Sequence, residues 1–452
     1  MSPAKSRAAG PKPVPPLTSP RRPRKPSSSE RTLDNGLRVV VVRKRDVPLV
    51  EVRLRVPFLS AKPKHSARAT LLSDTVLSGT DRYDRGDLAA AVQALGGDLS
   101  ASVDADRFLL AGNALATNLA PLLVIMADVL TSARYPADEV TRERARLVER
   151  LTIARSRAGV VAAESLARRM YGDHPYAREL PRVADVSTVT RKQVVRLHTE
   201  RVRPAGGVLV IVGDVSPART LDVVADSLAS WDGTGRAERV PGLPSFENGP
   251  VVLVDRPGSV QSSLRLGGVA LRRDADGYPA LQLANLVFGG YFSSRWNENI
   301  REDKGYTYGP HSRIEHNVLG SSLVLDADVA TEVTAPALLE TAYELAKISA
   351  LPVTDGEVES VRQYAIGTLA LSTATQAGLA TTLSSLLGTG LGLDWMIQHP
   401  RRLAKVTTAE VSAAAAEFFA PARLVTVVVG DAASIATPLQ ALTRVVPDGQ
   451  PS

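Results

Sequence analysis

Two hydrogen-bond donors, Arg301 and Tyr308, stand seven residues apart in the second half of the chain. They lie in the run Asn299-Ile300-Arg301-Glu302-Asp303-Lys304-Gly305-Tyr306-Thr307-Tyr308-Gly309, downstream of Phe288-Gly289-Gly290-Tyr291-Phe292-Ser293-Ser294-Arg295. A guanidinium and a phenol hydroxyl can both hold a carbonyl oxygen and stabilise negative charge developing on it. The alternative is structural: Arg301 in a surface ion pair with Glu302 or Asp303, and Tyr308 packed in a core.

Metal chemistry needs imidazoles, thiolates or carboxylates at chelating spacing. The chain has six His and no Cys, so it has neither a disulfide framework nor a thiolate site. His311-Ser312-Arg313-Ile314-Glu315-His316 comes nearest to a chelate. Its i,i+5 spacing separates the rings by about 140° on a helix and sends them to opposite faces of a strand. His65, His174, His198 and His399 have no partner at ligand spacing and should be surface or satisfied structural residues.

The elements that must position these groups repeat. Asn35-Gly36 is a turn signal ahead of Val39–Val42, and the alternating stretch Val50–Val56 follows; this reads as a hairpin of adjacent strands. Val251–Val254, the polar turn Asp255-Arg256-Pro257-Gly258 and Ser263–Leu266 repeat that layout. Pro136-Ala137-Asp138-Glu139-Val140 opens a charged helix, and Val353-Thr354-Asp355-Gly356-Glu357-Val358 opens another. Val212-Gly213-Asp214 closes the first half as Val429-Gly430-Asp431 closes the second, 217 positions on. Between them lie Ala/Leu-rich helical stretches such as Ala67–Leu77, Arg85–Leu95 and Asp138–Ser156. The expected architecture is α+β: two homologous domains, residues 31–240 and 251–446, each an antiparallel-rich sheet packed against helices. A linker at 241–250 joins them.

A half-length chain of two such repeats resembles the insulinase/pitrilysin peptidase family over about residues 31–446. Gly79-Thr80, Tyr83 and Leu95-Gly96-Gly97 fit that family, and the 299–309 run resembles the signature of its C-terminal domain. The resemblance implies a first domain bearing an inverted zinc motif, H-x-x-E-H. Two His at i and i+4 hold the metal, and the Glu acts as general base on its water. A third ligand, Glu, comes from a helix about 80 positions on. Here Thr70 and Asp74 stand at the His positions and Ser73 at the Glu position; Glu149 keeps the distal one. Asp74 is a poor substitute, since two carboxylates suit hard cations better than zinc, and Ser73 cannot take a proton from water near neutral pH. Glu149 also reads as a plain solvated helix glutamate.

The resemblance further implies half of a clamshell chamber, with Arg301 and Tyr308 facing the zinc of a partner subunit across the substrate. The expectation is a chain inactive alone: a non-catalytic, substrate-binding or regulatory subunit of a heterodimeric zinc metallopeptidase. Zinc would sit in the partner, a zinc-bearing paralogue, with no metal or cofactor in this chain. Extended peptides would add to a sheet edge. The alternative is a structural scaffold of the same family without peptide chemistry. Two further alternatives are a self-sufficient peptidase with an unusual metal site and a nucleic-acid binder driven by the N-terminal tail.

Charge bears on the last of these. Residues 1–30 hold seven Lys/Arg against Glu30, so nearly all of the +7 formal charge sits there and the body is almost neutral. The same stretch carries eight Pro, which block helix and sheet, so a disordered, partly polyproline II tail is expected; residues 447–452 form a short second tail. No secretory signal is visible, because the basic start leads into prolines instead of an apolar stretch. The apolar runs are too short to span a bilayer, which points to a cytoplasmic chain without a membrane partner.

Overall fold

The computed structural model describes residues 25–233, 238 and 240–449. Most of the expected N-terminal tail, residues 1–24, lies outside the described residues, as do 450–452. The chain forms two six-stranded sheets with helices, the α+β class that its pattern requires. In the first sheet the strands are β1 (Ser28–Thr32), β2 (Arg38–Arg43), β3 (Leu49–Pro57), β4 (Asp98–Val103), β5 (Arg107–Leu115) and β6 (Val208–Gly213). In the second they are β7 (Val251–Asp255), β8 (Gln261–Ala270), β9 (His311–His316), β10 (Ser321–Ala330), β11 (Val425–Gly430) and β12 (Val445–Pro447).

The sheet orders are β1-β2-β6-β3-β5-β4 and β12-β7-β11-β8-β10-β9. Five positions are filled by equivalent strands of the repeat. The sixth is taken by β1 in one sheet and by β12 in the other. β1 pairs antiparallel with β2 from Ser28 onward, so Ser28–Glu30, assigned to the tail on composition, belong to the sheet.

The expected hairpin is not formed. β6 lies between β2 and β3, parallel to the first and antiparallel to the second. β11 likewise separates β7 from β8. Burial explains the order: all six residues of β6 and the four valines of β2 are buried. A strand that is apolar on both faces is stable only inside a sheet with both faces covered.

That cover is exchanged between the halves. One face of the first sheet packs on its own helices in a core that includes Leu54, Leu71, Leu122 and Leu147. Its other face, Val40, Val42, Val208, Val210 and Val212, is covered by Leu379, Ala380, Leu383 and Leu387 of helix Gln376–Leu387, from the second half. Reciprocally, Ala162, Leu166 and Met170 of helix Ala158–Tyr171 cover Val252, Val324, Val425 and Val427 of the second sheet. The sequence spans 31–240 and 251–446 therefore each lend a helix to the other.

A polar latch adds to this. Val318 N–H, in the β9–β10 turn, donates to Asp106 Oδ2 at 2.9 Å, and the Tyr176 hydroxyl donates to Asp106 Oδ1 at 2.7 Å. No described helix is long and apolar enough to cross a membrane.

Candidate functional site

Thr70, Ser73 and Asp74 lie on helix His65–Thr75, held against the sheet by Leu71 and Leu72, both fully buried. The Thr70 hydroxyl donates to Ser66 O and the Ser73 hydroxyl to Thr70 O, each at 2.9 Å. Both are thus satisfied by their own helix. Asp74 Oδ2 accepts from Arg150 Nη2 at 2.5 Å, an ion pair to helix Ala137–Arg155. Burial pushes the Asp74 carboxyl above its ordinary range, Arg150 opposes the rise and Glu143 adds to it.

Glu149, one residue before Arg150 on the same helix, is exposed. The rest of that helix is an ion-pair ladder: Arg85 reaches Glu139 and Glu143 at 2.5 and 3.2 Å, and Arg146 meets Glu143 at 2.7 Å. Among the described residues no three His, Cys, Asp or Glu are grouped so as to hold a metal ion. This donor set does not fit zinc: it has no imidazole, its two hydroxyls are engaged, and one carboxylate is tied to a guanidinium. Arg150 was not anticipated from the sequence. Its only signal was its place beside Glu149.

In the second half the geometry is different in kind. Arg301 sits in a π-helical turn, Glu298–Asp303, a wide-turn irregularity frequent at functional sites. Its guanidinium carbon lies 4.4 Å from the Phe292 ring centroid and 5.1 Å from that of Tyr308. The structure thus brings Arg301 and Tyr308 together, with Phe292 on the same cation. Tyr308 is 88% exposed and Phe292 62% exposed, so Tyr308 is not a core residue. Arg301 Nε also lies 3.2 Å from Glu302 Oε1. Buried Trp296 and Ile300 anchor the loop from below, with Trp296 Nε1 donating to Thr341 Oγ1 at 3.0 Å. Arg295 grips Glu357 with two hydrogen bonds, at 2.6 and 2.9 Å.

Five of the six histidines are engaged in packing or hydrogen bonds, and His311 is exposed. His311 and His316 are the two ends of β9. His316 contacts Ser321 Oγ and the Tyr278 hydroxyl, and burial with Arg273 nearby lowers it to about 3. His65 packs on Phe58, with ring centroids 5.3 Å apart. His174 contacts Pro241 O, His198 contacts Tyr135 and Leu130 O, and His399 contacts Gln282.

Two family profiles match this chain: residues 49–182 match "Insulinase (Peptidase family M16)", and residues 188–364 match "Peptidase M16 inactive domain". The chain belongs to the insulinase, or M16, peptidase family. An uncharacterized zinc protease of Mycobacterium tuberculosis is 26% identical over 395 residues, 85% of this M16 chain and 89% of the relative. One from Mycobacterium leprae is 25% identical over 63% of this chain and 65% of its own length. A crystal structure titled as a peptidase M16 inactive domain, from Pseudomonas fluorescens, superposes with a TM-score of 0.83 at 22% identity, covering 89% of this chain and 98% of the other. That last match speaks for the fold alone.

Of the residues singled out in the sequence, Thr70, Ser73, Asp74 and Glu149 form one set, and Arg301 and Tyr308 another. The first set carries intra-helix hydrogen bonds and an ion pair, with Glu149 exposed. The second presents a cation and an exposed phenol.

Proposed function

We propose that this chain is the zinc-free subunit of a two-chain M16 peptidase, and that its Arg301 and Tyr308 act on a peptide held at a partner's zinc. One observation carries the reading. Arg301 lies against two largely exposed rings, Phe292 and Tyr308, while Asp74, at a position expected to hold zinc, is paired with Arg150. A guanidinium pre-positioned by its neighbours needs little reorganisation when charge develops on a carbonyl oxygen. The outer edges of β4 and β9, each the last strand of its sheet, offer unpaired backbone to an extended peptide. The zinc and its water would belong to the partner, a paralogue with an intact H-x-x-E-H, in a chamber closed by the two chains.

Reconstitution with such a partner tests this. Arg301→Ala or Tyr308→Phe should lower peptide cleavage by roughly 100- to 1000-fold, the usual cost of one oxyanion donor. Dimer formation and zinc content should not change. Cleavage at the wild-type rate in both variants rejects the trans-acting site. The scaffold reading, which the Arg301–Glu302 pair favours, would then stand.

A further inference from the structure

Helix Thr334–Ala350 is apolar on both faces. Its inner face, which includes Leu338, Leu345 and Ile348, packs in the core of the second sheet. Its exposed positions are Pro336, Leu339, Ala342, Tyr343, Ala346 and Ala350, none of them charged. Leu339 is 52% exposed and Tyr343 55%. A helix with one face in water ordinarily carries charge on it. Helix Ala137–Arg155 does so, with Asp138, Arg142, Arg146 and Glu149 exposed. Apolar residues all round mark a helix that is buried, and here one face is left open.

The repeat supplies an internal control. Helix Leu119–Ser132 follows β5 through the turn Ala116–Asn118, as Thr334–Ala350 follows β10 through Thr331–Val333. Counted from these starts, Pro121 matches Pro336 and Val124 matches Leu339, but Asp128 stands where Tyr343 does. The first half interrupts the stripe with a carboxylate, and the second half puts an aromatic ring there.

Charges flank the stripe on one side. Glu340 and Lys347 are seven residues apart, about two turns, and so share a flank. Neither is closely paired within the chain: Lys304 Nζ lies 3.6 Å from Glu340 Oε1, and Lys347 Nζ lies 3.6 Å from Glu344 Oε1. Glu340 Oε2 accepts from Asn299 at 3.0 Å, and Lys347 Nζ lies 5.6 Å from the Tyr343 ring centroid.

We propose that this face binds a second copy of the chain, helix against helix and antiparallel about Tyr343. A two-fold axis level with Tyr343 brings Glu340 of each copy against Lys347 of the other, and such a contact is satisfied twice. The two Tyr343 rings meet at the centre, where an aromatic anchor contributes most. A parallel pair would instead put the two charged flanks on opposite sides of the seam, so the charge pattern selects the antiparallel one. The proposal is independent of the trans-acting reading, since neither Arg301 nor Tyr308 belongs to this helix.

Sedimentation equilibrium of the full chain, purified alone, tests it. One helix per subunit buries less than a standard interface of about 1,600 Å², so the unmodified chain should pass from monomer to dimer as concentration rises. Tyr343→Asp, which copies the residue of the first half, should weaken association at least about 30-fold, as loss of a central anchor does. Lys347→Glu and Glu340→Lys should each weaken it about tenfold, because each sets like charges together twice. Mixed one to one, these two variants should associate as tightly as the unmodified chain, because every Glu again meets a Lys. A chain that stays monomeric up to about 300 µM overturns the proposal. If Tyr343→Asp then also weakens a complex with a zinc-bearing paralogue, the face belongs to that partner. A dimer that Tyr343→Asp leaves intact, or folded charge variants whose mixture fails to associate, overturns it equally. Tyr343→Asp decides the matter even if a charge variant fails to fold.

Discussion

Arg150 lies 2.5 Å from Asp74 and joins helix Ala137–Arg155 to helix His65–Thr75 through a guanidinium–carboxylate pair. The side chain of Asp74 is 23% exposed and that of Arg150 54%, which places the pair between a surface bridge and a buried one. Arg150→Leu should cost about 1 kcal/mol at neutral pH, and less at pH 4. Burial already raises the Asp74 carboxyl, and losing Arg150 raises it further, so the unpaired group protonates as pH falls and its penalty disappears. Adding Asp74→Leu should restore most of the lost stability. Urea unfolding of the two single variants and the double one measures the coupling; additive effects within about 0.3 kcal/mol would show that the pair does nothing.

Zinc restoration follows from the same pair. Thr70→His, Ser73→Glu and Asp74→His should not bind a full equivalent of zinc, because Arg150 still projects a cation at position 74. Adding Arg150→Gln removes that charge and should raise the bound fraction, read by elemental analysis after gel filtration. Full occupancy in the triple variant would show that Arg150 is no obstacle.

The exchanged helices couple the halves. Leu383→Ala and Leu166→Ala each remove a side chain packed on the opposite half's sheet and should each cost about 2–5 kcal/mol. Each loss should lower one transition common to both sheets. Calorimetry of the unmodified chain should accordingly show a single peak; two resolved peaks, only one of them moved by Leu383→Ala, would mean the halves unfold independently.

Much of this was legible in the residues and some was not, for physical reasons. The repeat declared itself because Gly213 and Gly430 end similar Val-rich strands, and both do close their strands. The hairpin of β2 and β3 was misread because local turn chemistry cannot reveal that a strand more than 150 residues later inserts between them. Only the two-sided burial of Val39–Val42 could have hinted at it. The exchange of Leu166 and Leu383 was invisible for the same reason: helical periodicity says that a face is apolar, not which sheet it meets. Thr70, Ser73 and Asp74 were placed by motif. Arg150 was overlooked because the motif describes only ligands.

The Arg295–Glu357 pair predicts a pH window. Burial alone would raise Glu357, but hydrogen bonds from Arg295 and Thr354 outweigh it and hold the carboxyl near 2, against an ordinary 4.5. A carboxylate depressed on folding contributes stability above its unfolded value and loses it as pH falls through the folded one. The stability difference between the unmodified chain and Glu357→Gln should therefore be constant above about pH 5 and shrink from there toward pH 2. Paired urea titrations check this, and a pH-independent difference would mean that Arg295 holds the glutamine equally well.

Phe292 supplies the sharpest test of the trans-acting site, because it touches Arg301 without being a donor itself. Its ring lies 4.4 Å from the guanidinium carbon, nearer than that of Tyr308 at 5.1 Å, a contact worth about 0.5–1 kcal/mol at an exposed position. If the ring serves to hold Arg301 in place, Phe292→Ala in the reconstituted pair should lower turnover by about two- to fivefold. Phe292→Tyr should restore it, and Arg301→Ala should leave nothing further for Phe292→Ala to remove. That last non-additivity is what positioning requires and what separate contacts with the peptide would not give. Arg301→Lys should recover little, since an ammonium keeps the charge but loses the planar fork and the stacking. Independent, multiplying effects of Phe292→Ala and Arg301→Ala would show that the ring meets the peptide directly and that Arg301 is placed by something else.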